Sequence, residues 1–93
     1  MELGMFEHIS HEADVILVNE HGLHVRPAAL LAARARSFQA EVALLANGIR
    51  ADCKSVLEIL SCGCLAGTRI TLSATGADSK EVVNCLAELI RRL

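Results

Sequence analysis

The stretch Gly22-Leu23-His24-Val25-Arg26-Pro27-Ala28-Ala29 brings an imidazole, a guanidinium and a proline together in a short run. Neutral imidazole carries a nucleophilic ring nitrogen, and a guanidinium compensates charge on an anion. Pro27 fixes the local backbone. Proline is tolerated in a helix only in the first turn, where its missing N–H has no intrahelical partner to lose. A helix opening at Val25 then leaves His24 near the N-cap, with the Val25 and Arg26 amides free. Free amides at the positive end of a helix form a ready anion site. A nucleophilic nitrogen beside an anion site suits one chemistry, acceptance of a phosphoryl group. Such transfer needs alignment and charge compensation more than covalent help. The positive helix end also favours the neutral, reactive imidazole over imidazolium.

The surrounding pattern supplies the elements. Ala13–Val18 is rich in β-branched residues and predicts a strand, followed by a loop over Asn19–Leu23. From Val25 to about Arg36, Ala28, Leu31, Ala32 and Ala35 recur at helical spacing and form one apolar stripe. Arg34 and Arg36 suit the negative helix end. Glu41–Ala46 predicts a second strand, and Asn47-Gly48 a tight hairpin into a third over Ile49–Cys53. Ser55 and Glu58 have capping-box spacing ahead of a short helix with Val56, Ile59 and Leu60 as its apolar face. Gly63 and Gly67 lead to a fourth strand, Thr68–Ala74. After a turn, Asp78 or Ser79 can cap a last helix striped by Val82, Val83, Leu86, Leu89, Ile90 and Leu93. The order βαββαβα with one-faced helices predicts an α+β open-faced sandwich: four mostly antiparallel strands with the helices on one side.

Composition narrows the function classes. The 93 residues allow one core, with residues 1–12 expected as an N-terminal extension and 13–93 as the domain. The formal net charge is −2, with two Phe and neither Tyr nor Trp, which argues against a nucleic-acid partner. No apolar run reaches the roughly 20 residues of a membrane span. Glu2, Glu7 and Glu12 are unlike a secretory leader, so a cytoplasmic location is expected. Cys53, Cys62, Cys64 and Cys85 match no structural zinc spacing and are expected as small apolar fillers, with no metal or cofactor. A redox or metal role for Cys62 and Cys64 is the competing reading. His8, His11 and His21 are expected in a solvated tail and a polar loop.

The motif Gly22–Ala29 resembles the active-site signature of HPr, the histidine-containing phosphocarrier family of the bacterial phosphoenolpyruvate-dependent phosphotransferase system. Lys54-Ser55-Val56-Leu57 is similar to that family's serine-centred motif, and Ala66-Gly67-Thr68 and Ser73-Ala74-Thr75-Gly76 also match its pattern. The resemblance covers roughly Ala13 to Leu93. It implies an antiparallel four-stranded sheet covered on one face by three helices. It implies phosphorylation of His24 on Nδ1 by enzyme I, assistance by Arg26, and discharge to an enzyme IIA, with the carrier itself no enzyme. Ser55 then corresponds to the serine modified by an ATP-dependent kinase, and reversed by a phosphatase, in some branches. Glu58 departs from the glycine common there, and its carboxylate would repel an incoming phosphate. Leu30, Leu57 and Leu60 are expected as a docking patch, with completion of the core as the competing role. A monomer suits a shuttle between two partners. A nitrogen-type regulatory relay or binding module of the same fold is the alternative to sugar transport.

Overall fold

The computed structural model describes residues 9–93. The element order is β1 (Ser10–Ile16), α1 (Val25–Arg36), β2 (Glu41–Ala46), β3 (Ile49–Asp52), α2 (Val56–Ser61), β4 (Arg69–Thr75) and α3 (Ser79–Arg91). This is the expected βαββαβα order. The strands form one sheet in the order β1-β4-β2-β3, and each neighbouring pair is antiparallel. The last strand in sequence thus lies between the first and the second.

Strand alternation decides which face is buried, because successive side chains point to opposite sides. Ala13, Leu72, Leu44 and Ala51 are consecutive cross-strand partners, and Val15 pairs with Ile70. Leu72, Leu44 and Ile70 are fully buried. They meet Leu31 and Ala35 of α1, Ile59 of α2, and Val82, Leu86 and Ile90 of α3 in one core. Truncating a residue such as Leu31 to alanine would cost about 2–5 kcal/mol. The opposite face is more polar: Asp14 accepts hydrogen bonds from both Arg69 and Thr71 there.

Helix α1 buries the expected stripe of Ala28, Leu31, Ala32 and Ala35. Its two terminal arginines do more than face a helix end. Arg36 Nε donates to the Lys54 carbonyl at 2.9 Å, and Arg34 donates to Cys85 Sγ at 3.3 Å. The hairpin between β2 and β3 has Asn47 at φ 54° and Gly48 at φ 77°, the left-handed pair that two-residue turns need.

Several local expectations need correction. Strand β1 begins at Ser10, so residues 10–12 of the expected extension pair with Ser73–Thr75 of β4. Residues 1–8 of that extension, including His8, lie outside the described residues. His11 is not in a solvated tail: it is half-buried, and its Nδ1 lies 2.8 Å from the buried Ser79 hydroxyl. Asp78 is the N-cap residue of α3 but makes no side-chain cap. Its carboxylate instead accepts from the Gln39 and Ala40 amides at 2.9 and 2.7 Å, fastening the α1–β2 turn to the α3 start. Those amides, Gln39's foremost, hold Asp78 below the usual carboxylate range.

Candidate functional site

His24 is the N-cap of α1, in extended backbone at φ −81° and ψ −171°, and its ring is exposed. Its carbonyl accepts the first helical hydrogen bond, from Ala28 N at 3.0 Å. The Val25 and Arg26 amides, ahead of that bond, have no intrahelical partner. Pro27 is buried in the first turn and offers no competing N–H. That turn contains no acidic residue, so no side chain of its own offsets the positive helix end. Arg26 is exposed two residues beyond the ring. The helix start therefore gathers His24, Val25 and Arg26 as their spacing predicts.

The loop before His24 is held by backbone rather than by side chains. Leu17 N donates to Thr68 O at 2.9 Å, and Gly67 N donates back to Leu17 O at 2.6 Å. Leu23 N donates to Cys64 O at 3.0 Å, while the Leu23 side chain is buried. Between them Gly22 has φ +68°, and a Cβ there would overlap the Cys64 carbonyl oxygen. Only glycine meets both demands, the left-handed backbone and the close approach. Segment 62–68 is thus the anvil on which the histidine loop is formed.

His21 does lie in a loop, yet it faces the site. Its ring is T-shaped to that of His24, with centroids 6.2 Å apart and planes at 82°. Sequence reasoning missed this neighbour. The only signal was a second imidazole three residues ahead of the first, and the intervening backbone decides whether such a pair meets.

Ser55 is the N-cap of α2, and its hydroxyl accepts from Glu58 N at 3.2 Å. The capping box is only half formed, because Glu58 Oε1 accepts from Asp52 N at 2.9 Å and not from Ser55 N. Ser55 N donates instead to Asp52 O at 3.0 Å. A carboxylate consequently ties α2 to the end of β3.

Of the three leucines expected to dock a partner, Leu30 and Leu57 are exposed, at 51% and 81%. Leu60 is half-buried and packs against the core, which favours its competing role. Val25 and Leu65 are exposed as well, and Leu65 sits directly beside Gly22. Neither side chain is among those the sequence points to for docking. Cys53, Cys62 and Cys64 are buried among the core side chains. Burial pushes the Cys53 thiol up to about 12, helped by Asp52, and the Cys64 thiol up to about 11, helped by Cys62. They are packed as apolar fillers. Among the described residues, no helix is long and apolar enough to cross a membrane.

The family model described as "PTS HPr component phosphorylation site" matches residues 11–92. The chain belongs to the HPr family. It is 37% identical over 83 residues to the phosphocarrier protein HPr of Vibrio cholerae, covering 89% of this chain and 98% of that protein. It is 34% identical to the HPr of Haemophilus influenzae, with the same coverage of both chains. Among solved structures, the HPr of Bacillus anthracis aligns with a TM-score of 0.82 at 30% identity, over 86% of this chain and 95% of that one. An HPr of Thermoanaerobacter tengcongensis aligns at 0.83 and 33%, over 87% and 91%. A second structure from that organism, an HPr dimer, aligns at 0.70 over 84% and 90%. The α+β sandwich expected from the sequence is therefore the HPr fold, and His24 lies within the matched residues.

Proposed function

We propose that this chain is a phosphocarrier of the phosphotransferase system, accepting a phosphoryl group on His24 Nδ1 from enzyme I and passing it to an enzyme IIA. The carrying observation is an exposed imidazole at the N-cap of α1, a helix whose first turn has free amides and no acid. In the transfer, the Nδ1 lone pair attacks phosphorus. The N–P bond forms as the bond to the donor breaks, and its electron pair leaves with the donor. The Val25 and Arg26 amides and the Arg26 guanidinium compensate the charge on the phosphoryl oxygens. Return of the group to an acceptor reverses these steps, so the chain needs no resident cofactor and no turnover of its own.

Leu30 and Leu57 form the docking patch on the sides of α1 and α2, an arrangement that suits a cytoplasmic monomer meeting two partners in turn. Ser55 is a second phosphorylation site for a serine kinase and phosphatase only if the Glu58 carboxylate gives way. Its bond to Asp52 N turns it from Ser55 N but leaves its charge one helical turn from the hydroxyl. Incubation with enzyme I and phosphoenolpyruvate, followed by analysis for acid-labile phosphate, tests the carrier reading. Phosphate is expected on the wild-type chain and none on His24→Ala. An unmodified wild-type chain refutes it. Adding a serine kinase with ATP tests Ser55 in the same samples, the expected label being stable to acid.

A further inference from the structure

The T-shaped pair of His21 and His24 has a spacing open to a bridging group between ring nitrogens. The centroids stand 6.2 Å apart. A direct N–H···N bond brings two imidazole centroids to about 5 Å, so these rings are too far apart to be bonded to each other. A phosphoryl group on a ring nitrogen closes the gap. Its oxygens stand about 2.6 Å from that nitrogen, and a charge-assisted N–H···O bond adds about 2.8 Å. With the two ring radii included, the reach is about 5–7 Å between centroids, depending on the angle.

We propose that His21 is a phosphoryl-binding residue, whose ring N–H donates to an oxygen of the phosphoryl group on His24. This inference rests on the carrier reading above and adds a residue to its site. His21 belongs to the loop before α1, so its donor would add to those supplied by the helix start. Its placement depends on Gly22, whose left-handed backbone turns the chain between the two rings.

A histidine in this role makes the carried group sensitive to pH. The charged groups on its own segment are Glu20 and, beyond His24, Arg26. The segment packed against the loop, 62–68, brings only the thiols of Cys62 and Cys64, both raised by burial and so neutral near pH 7. Neither thiol masks a change in His21. Cationic His21 binds a dianion more strongly than neutral His21 does. By linkage, the phosphorylated chain must hold the His21 proton to higher pH than the unphosphorylated chain.

The test uses the full chain with enzyme I and phosphoenolpyruvate. Proton NMR follows the His21 ring resonance against pH before and after phosphorylation. The expected result is movement of the His21 titration to higher pH on phosphorylation, with no movement in His24→Ala treated identically. Two variants separate ligation from packing. His21→Phe keeps an aromatic ring beside His24 but has no N–H, whereas His21→Asn keeps a neutral donor. At pH 7 the equilibrium constant for phosphorylation by enzyme I should fall about two- to fivefold in His21→Phe, a modest factor because the site is exposed. His21→Asn should retain more of it and lose the part of its pH dependence that His21 contributes. A His21 titration that does not move, or a His21→Phe chain that equals wild type, overturns the proposal while leaving the carrier function standing. Failure of the wild-type chain to accept phosphate overturns both.

Discussion

Gly22→Ala should damage both the fold and the proposed phosphoryl site, and the structure allows its two costs to be separated. Holding an alanine at φ +68° costs roughly 1–2 kcal/mol, because its Cβ crowds its own carbonyl. The second cost comes from the Cβ overlapping the Cys64 carbonyl oxygen. Forcing an atom into a filled position costs about 1–3 kcal/mol. The obstacle is backbone, and the same oxygen accepts the Leu23 amide at 3.0 Å, so it cannot move without loosening the loop. Gly63 is the internal control: its φ is +58°, and nothing lies within 4 Å of a Cβ built there. Gly63→Ala therefore carries the conformational cost alone. Urea unfolding of the two variants should differ by about 2 kcal/mol, and melting temperatures by about 8–16 °C, for a domain of this size. If the loop shifts to relieve the overlap, His24 leaves its place over the α1 amides. Misplacement by about 1 Å costs up to about 100-fold in rate, so phosphoryl acceptance should slow by about tenfold or more. Equal stability of the two alanine variants, with wild-type acceptance in Gly22→Ala, would refute the strapped-loop account.

Four further outcomes are expected. Leu57→Glu should change stability by less than about 0.5 kcal/mol while weakening binding to enzyme I in calorimetry, because Leu57 is 81% exposed. Leu60→Glu, placed against the core, should cost about 2 kcal/mol or more in urea unfolding. Asp78 is held below its ordinary range by the Gln39 and Ala40 amides, so its contribution is fully present above about pH 4 and fades as pH falls through the lower folded value. Asp78→Asn should therefore flatten the acid limb of stability in urea titrations from pH 6 to pH 2. Ellman's reagent at pH 8 should modify Cys85 first in the native chain. Cys53 and Cys64, pushed up to about 12 and 11 by burial, should react only on unfolding.

What the sequence made legible was local in origin. Pro27 marked the start of α1, Asn47-Gly48 marked the hairpin, and helical spacing identified the buried stripe from Ala28 to Ala35. Each rests on interactions within a few residues, which a single chain displays directly. The strand order was not legible, because pairing of β4 between β1 and β2 is decided by which apolar rows meet across the sheet. For the same reason two carboxylates were misjudged. Glu58 and Asp78 both stand at cap positions by type and spacing, yet each bonds to backbone in another element. Capping preferences describe an isolated helix, whereas a neighbouring strand or turn offered these carboxylates free amides at 2.7–2.9 Å.

The proposed acceptor site divides along the same line. Its chemistry is encoded within three residues, since His24, Val25 and Arg26 need only a helix beginning after the imidazole. Its orientation is not local at all. The ring points where it does because Cys64 O receives Leu23 N, Gly67 N reaches Leu17 O, and Gly22 lets the two segments touch. A chain that kept the eight-residue motif but lost the Cys64–Thr68 segment would retain a nucleophile and an anion site with nothing to hold the approach to them. This separation has a consequence for variation at the site. Substitutions in segment 64–68 that preserve its backbone path, such as at the exposed Leu65 side chain, can alter the contact surface beside His24 without touching the phosphoryl chemistry. Substitutions that move the Cys64 carbonyl must disturb both, because that one oxygen accepts the Leu23 amide and bounds Gly22 just ahead of His24.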